Sequence, residues 1–471
     1  MRPCRISANY FAQLWIINQS ERSYIGYNLM KGSPTVRSAR LQGGVMKAKA
    51  IKNGLLKAAG CVLLVSGTAL AAPPLVSNVT LTQAAGSRFV TISYTLDADA
   101  IITLSVETNG VPLPPDAIST LSGDACKAVQ AGNRVMTWDA GTDWPSNLTE
   151  TAQARIKAWH PSYPPPVMVL DLSAGSGSSA VYPVFYYDSI EALPFGGLTN
   201  QIYRSERLVM RKIGRGAFLM GRLLSQTRSM TLSKDFYAGV FEVTQGQWHK
   251  VTGDYPGFYT VERDGRPVER VSYNDIRGST ADVPSIDWPN TGYEVSPGSF
   301  LGRLRSRSGL TKVDLPTEAQ WEYMCRAGTR SIFNCGSPDA TIVGAYATGQ
   351  NPWLDKIARY NYNDGISRPR TVDALPSVAG TAIVGSYLPN AWGLYDTLGN
   401  VMEWVLDYWP GSDVFPASGV DPTGPTTGSS RIRRSGGVSD AQYVTTEFRF
   451  SEPPGSASNN NLGFRIVKII D

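Results

Sequence analysis

Pro389-Asn390-Ala391-Trp392-Gly393-Leu394-Tyr395-Asp396-Thr397-Leu398-Gly399-Asn400-Val401-Met402-Glu403-Trp404 is the stretch that decides how this chain folds. It packs two glycines, three aromatic rings and two carboxylates into sixteen residues. Asp396 and Glu403 stand seven residues apart around Gly399-Asn400, a dipeptide that punctuates turns. A glycine-containing turn of this kind can fold carboxylate and carbonyl oxygens around a hard cation such as calcium. The simpler reading is that Asp396 caps the turn and Glu403 is solvated.

Outward from this run, regular structure is sparse and carefully delimited. Thr244 with Gln247 forms a capping box ahead of Trp248 and Val251, and Gly253 ends that helix. Ser299 opens a second helix, with Phe300, Leu301 and Leu304 on one face and Gly309 as its stop. Thr317 with Gln320 caps a third, whose inner face carries Trp321, Met324 and Cys325 and which Gly328 closes. Glu318 and Glu322 on that helix read as capping and surface charges. Long Gly-, Pro- and Asn-rich stretches lie between these helices. The chain holds 46 Gly and 31 Pro, with 11 Trp and 22 Tyr to pin its loops.

The capped helices carry a resemblance as well. Ala217-Phe218-Leu219-Met220-Gly221, Phe241-Glu242-Val243-Thr244-Gln245-Gly246-Gln247-Trp248, Pro267–Asp275, Leu315–Tyr323, the opening stretch and Asn461-Leu462-Gly463-Phe464-Arg465 fall in order along the chain. Together they make residues 205–471 resemble the formylglycine-generating enzyme (sulfatase-modifying factor) family. The resemblance implies an α+β, irregular C-type-lectin-like domain with little regular structure. It implies structural calcium held by the side chains of Asp396 and Glu403 and the carbonyls of Gly399 and Val401. A second calcium site would use Asn361 and the Tyr362 carbonyl, with Asp364 assisting.

Enzymes of that family oxidise a cysteine of a sulfatase peptide to formylglycine, using two copper(I)-binding cysteines between the Gly-Gly turn and the final Gly-Phe-Arg. Copper(I) is soft and selects thiolates. Here the region reads Gly436-Gly437-Val438-Ser439-Asp440-Ala441-Gln442-Tyr443-Val444-Thr445-Thr446-Glu447-Phe448-Arg449, and the cysteine positions fall near Ala441 and Thr446. No cysteine follows Cys335, so copper is not expected. A second branch of the superfamily holds iron through histidines, but this chain has only His160 and His249. Two histidines are too few for that site, and they weaken a Ser-His-Asp hydrolase reading too. Cys325, on an inner helix face, reads as a structural thiol or half of a bridge to Cys335. By the same resemblance Tyr443, Phe448 and Arg449, with Phe450, could line a peptide groove; core packing of alternating aromatics is the competing reading.

The N-terminal part reads differently. Val90, Ile92, Tyr94 and Leu96 alternate with polar residues, and Ile102, Leu104 and Val106 repeat the pattern before Asn109-Gly110. Val135–Trp138 and Arg155–Trp159 extend it, so residues 72–160 read as an all-β, immunoglobulin- or fibronectin-like sandwich. His160-Pro161-Ser162-Tyr163-Pro164-Pro165-Pro166 then starts a Pro-rich linker and lead-in over residues 161–204. Residues 46–71 have a basic start at Met46, an apolar run Ala58–Leu70 and Ala69-Leu70-Ala71, the pattern of a secretory signal cleaved near Ala71. The run is too short for a membrane span. Cys61 hints at a lipoprotein site, but the apolar stretch follows it instead of preceding it. Residues 1–45 read as an untranslated or disordered extension.

Charge supports this division. Of 44 basic and 39 acidic residues, residues 1–71 hold ten basic and one acidic, leaving 34 against 38 and a balance of −4. No basic face for nucleic acid remains. Three function classes stay open: a secreted, catalytically silent binding or surface module for a peptide, protein or glycan; an oxidoreductase on the same fold, including one that makes formylglycine; and a structural surface protein.

Overall fold

The computed structural model describes residues 72–222, 226–335, 350–363, 380–412, 414–438 and 441–471, with a short strand pair at Asn18–Gln19 and Arg22–Ser23. The signal-like segment 46–71, Cys61 and Asp364 lie outside the described residues.

Residues 76–159 form two facing antiparallel sheets. In one, Phe89–Leu96 pairs with Val76–Gln83 on one side and Gly132–Asp139 on the other. In the second, Ala100–Thr108 lies against Gln153–Trp159. The alternation read from sequence builds the core between them: Val90, Ile92, Tyr94 and Leu96 meet Ile102, Val106, Met136 and Trp138. Asn109 and Gly110 both take positive φ (52° and 74°), which the tight hairpin between Ala100–Thr108 and Val111–Pro112 requires.

The segment 161–204 corrects its reading as a linker. Pro164 and Pro165 are buried, and their carbonyls accept from Lys212 Nζ and Tyr237 Oη. Val167–Asp171 and Val184–Tyr187 then enter the main sheet of the larger domain. That six-stranded sheet runs Val184–Tyr187, Val167–Asp171, Arg207–Ile213, Phe236–Gly239, Val467–Ile469, Val313–Asp314, with antiparallel neighbours throughout. Proline here closes a packed strand entry, where its missing N–H costs nothing.

A second sheet positions the site. Met402–Tyr408 lies at its centre, buried along its whole length, between antiparallel Arg431–Arg434 and parallel Leu462–Gly463, with Arg449–Glu452 at the edge. The helices form where the caps place them. Thr244 Oγ1 accepts from Gln247 N while the Gln247 side chain returns to Thr244 N, and Gly253 ends the helix in the left-handed region. Ser299 and Gly309 delimit the second helix as expected. On the third, Thr317 and Gln320 form the box, but Ala327 takes the left-handed cap, one residue before Gly328.

Candidate functional site

The opening run is a chain of left-handed turns feeding the central strand. Gly393, Asp396, Gly399 and Asn400 have φ of 72°, 53°, 78° and 57°. Glycine is required at 399, where a Cβ would overlap the Arg359 carbonyl, and at 393, where it would strike the Arg211 guanidinium. Asn400 is the hub. Its amide donates to Glu242 Oε2 (2.7 Å), its Oδ1 accepts from Ala382 N (2.8 Å), and its own N–H reaches Arg359 O (2.7 Å).

Three buried carboxylates surround this hub. Glu242 accepts from Asn400 and from Val401 N. Asp396 Oδ2 accepts from Gly385 N at 2.6 Å, while Oδ1 is buried without a partner among the described residues. Glu403 pairs with Arg465 at 2.8 Å and accepts from Trp321 Nε1 at 2.8 Å. Arg465 also donates to the carbonyls of Gly239, Val240 and Tyr395, tying the main sheet to the loop. Arg465 thus faces all three acids, and Arg204 acts on Asp396 as well. Burial, and then the charges of Asp396 and Glu403, push Glu242 far above the usual carboxylate range. Burial likewise lifts Asp396 to about 6 against the opposing Gly385 N–H.

This arrangement fits calcium on one side only. The orphaned Asp396 oxygen and the surplus of buried acid suit a hard cation, and the loop carries the Gly399 and Val401 carbonyls. Glu403, expected as a ligand, has both oxygens engaged by Arg465 and Trp321. Among the described residues no three His, Cys, Asp or Glu converge in metal-holding geometry, so an ion here would draw on main-chain oxygens. For the second expected site, Asn361 Oδ1 already accepts from Ala441 N (3.2 Å), and Tyr362 is half-buried beside Tyr360.

The positions where thiols would stand are filled by other chemistry. Ala441 is buried. Thr446 is fully enclosed: its N–H donates to Ile332 O, its hydroxyl to Ser331 O, and its carbonyl accepts from Arg434 Nη2. Cys325 is a free thiol, so the Cys325–Cys335 bridge left open by the sequence does not form. Burial pushes Cys325 up to about 12, and its sulfur donates to Thr397 O, which leaves it a packed structural thiol.

Two expectations are corrected outright. Glu318 and Glu322 are not surface charges: both are fully buried. Arg434 bridges them at 2.6 and 2.7 Å, Arg449 pairs with Glu318 at 2.7 Å, and Arg326 with Glu322 at 2.8 Å. Arg449 therefore points inward and lines no peptide groove. Its strand neighbours point the other way. Tyr443 stacks on Phe448 (4.3 Å) and Phe448 on Phe450 (6.4 Å), with the Arg433 guanidinium 4.9 Å from the Phe450 ring. Phe450 is half exposed. The alternation of period two around Arg449 was the signal that separates the two faces.

Residues 206–470 match the family model described as the sulfatase-modifying factor enzyme 1-like domain. The chain is similar to the chaperone protein LppX of Paenibacillus barcinonensis, 32% identical over 209 residues, covering 41% of this chain and 69% of that protein. It is similar to the formylglycine-generating enzyme of Mus musculus, 33% identical over 156 residues, or 32% of this chain; it spans only 38% of that enzyme's length. Among solved structures it is similar to PvdO from Pseudomonas aeruginosa, with a TM-score of 0.40 and 22% identity over 56% of this chain and 94% of the other.

Proposed function

The chain belongs to the sulfatase-modifying factor enzyme 1-like family, and from that premise we propose that it is a secreted, calcium-stabilised binding module without cysteine-oxidase activity. One observation carries this reading: where copper(I) needs two thiolates, this sequence has Ala441 and Thr446 and no cysteine beyond Cys335. A methyl group and a hydroxyl already bonded to Ser331 O cannot bind a soft ion. The basic start and apolar run of residues 46–71 support export. Among the described residues no helix is long and apolar enough to cross a membrane.

In this reading the stacked Tyr443–Phe448–Phe450 ladder is the contact surface, offering its ring edges to an extended peptide or protein segment. A relative that carries the name chaperone favours the same role. Calcium would be held by Asp396 and the Gly399 and Val401 carbonyls, relieving the surplus of buried acid. A second reading, an oxidase that makes formylglycine, is favoured by the relatives that carry that name. Competition with a copper(I) chelator separates the two. The binding-module reading expects no copper(I) withdrawn from the chelator. Stoichiometric withdrawal would overturn it.

A further inference from the structure

Beyond the end of the central strand the chain makes a long excursion before it returns at Arg431. Pro410, Phe415 and Pro416 go out, Gly419–Val420 pairs in parallel with Gln226–Leu232, and Pro422, Gly424 and Pro425 come back. The excursion borders a half-open cavity of ≈ 550 Å³, within the size range of small-molecule sites. Tyr408, Phe415, Pro416, Pro422, Pro425 and Ile432 make its walls, and Glu318 with Arg449 reaches its floor.

We propose that this cavity binds a neutral, largely apolar small molecule with two or three rings. The walls supply apolar surface, and their prolines, with φ already fixed, hold it open without an entropic cost at binding. The size decides the class: ≈ 550 Å³ is roughly 18 water volumes, on the order of 15–20 non-hydrogen atoms. The floor decides the charge. Glu318 is held by Arg449 at 2.7 Å and Arg434 at 2.6 Å, and Arg449 also donates to Val414 O at 2.7 Å, so the hydrogen-bonding capacity of both floor groups is taken within the protein. Arg449 is further enclosed by the rings of Phe415 and Trp409, at 4.8 and 5.0 Å. The Tyr408 hydroxyl is spent on Asp287 (2.6 Å). A charged ligand would lose part of its hydration and find no free counter-ion among the described residues. The site is separate from the Asp396 loop and from the aromatic ladder, and it stands whether or not the module binds peptide.

The test uses the full chain and two fluorescent probes that share a ring skeleton: neutral N-phenyl-1-naphthylamine and its anionic counterpart, 8-anilinonaphthalene-1-sulfonate. The expected result is saturable binding of the neutral probe at one site per chain, with the sulfonate at least tenfold weaker. Ala417 lies exposed on the cavity's rim, so filling it leaves the core intact. Ala417→Trp should weaken the neutral probe at least tenfold at an unchanged melting temperature, while Ala417→Ser binds as the parent. Should the tryptophan variant fail to fold, Ala417→Leu should still bind more weakly than Ala417→Ser. Non-saturable binding, equal affinity for both probes, or indifference to the size of residue 417 would each overturn the proposal.

Discussion

Arg465 and Glu403, 62 residues apart, meet at 2.8 Å with both side chains essentially fully buried. The pair joins the closing Gly-Phe-Arg to the opening turn, so the two most recognisable segments of the chain are halves of one contact. Breaking a buried pair from one side strands the other charge. Arg465→Met should therefore cost about 3–5 kcal/mol in urea unfolding. The double variant Arg465→Met/Glu403→Gln should recover a substantial part of that loss. A loss near zero for the single variant would mean that the pair does not organise the loop.

Gly399 gives a sharper local test. With φ at 78° and the Arg359 carbonyl where a Cβ would go, Gly399→Ala meets strain and overlap together. It should lose at least about 1–3 kcal/mol. Gly411, also at positive φ but with open space around it, serves as the control and should lose less when changed to alanine. Equal losses would contradict the tight approach at 399.

Stability should fall as pH rises through neutrality. Burial, and then the Glu318 charge, lift Asp407 to about 7; burial lifts Glu269 to about 7 as well. Folded-state values above the unfolded carboxylate value mean that the folded chain holds more protons between about 4 and 7. Their contribution is fully present below the unfolded value and is lost as pH rises through the folded one. Urea midpoints should drop between pH 5 and pH 8, and Asp407→Asn should flatten that drop. A midpoint that rises over this interval would show that other groups govern the titration.

Much of the scaffold was legible because its signals are local. Capping pairs three residues apart, Gly253 and Gly309 as stops, and the alternation of Val90 through Leu96 each depend on a handful of neighbours. What stayed hidden depends on distant partners. Glu318 and Glu322 look like ordinary first-turn and mid-helix acids until Arg434, more than a hundred residues away, is brought between them. The same holds for Glu403, whose partner lies at the far end of the domain. Pro164–Pro166 read as a stiff connector because nothing local reveals that Lys212 and Tyr237 take their carbonyls. Ala327 shows the limit even of a strong local rule: it adopts the left-handed cap although a glycine stands next to it.

Calcium is tested separately through Asp396. An ion bound only to the folded state adds RT ln(1 + [L]/Kd), about 2.7 kcal/mol at a hundredfold excess over Kd. Calcium should raise the melting temperature, EDTA should reverse the rise, and Asp396→Ala should abolish the response. Glu403→Gln should retain it, because Arg465 and Trp321 already occupy that carboxylate. No response in the parent chain would remove calcium from this loop.

Loss of the family's oxidase chemistry on a retained fold can be measured on a peptide substrate. Its most direct test is mass spectrometry of a Cys-x-Pro-x-Arg peptide after incubation with the full chain, copper(I) and oxygen. The expected result is an unchanged peptide mass and no product captured by an aldehyde-specific reagent. Catalytic loss of the mass that accompanies conversion of thiol to aldehyde would contradict it.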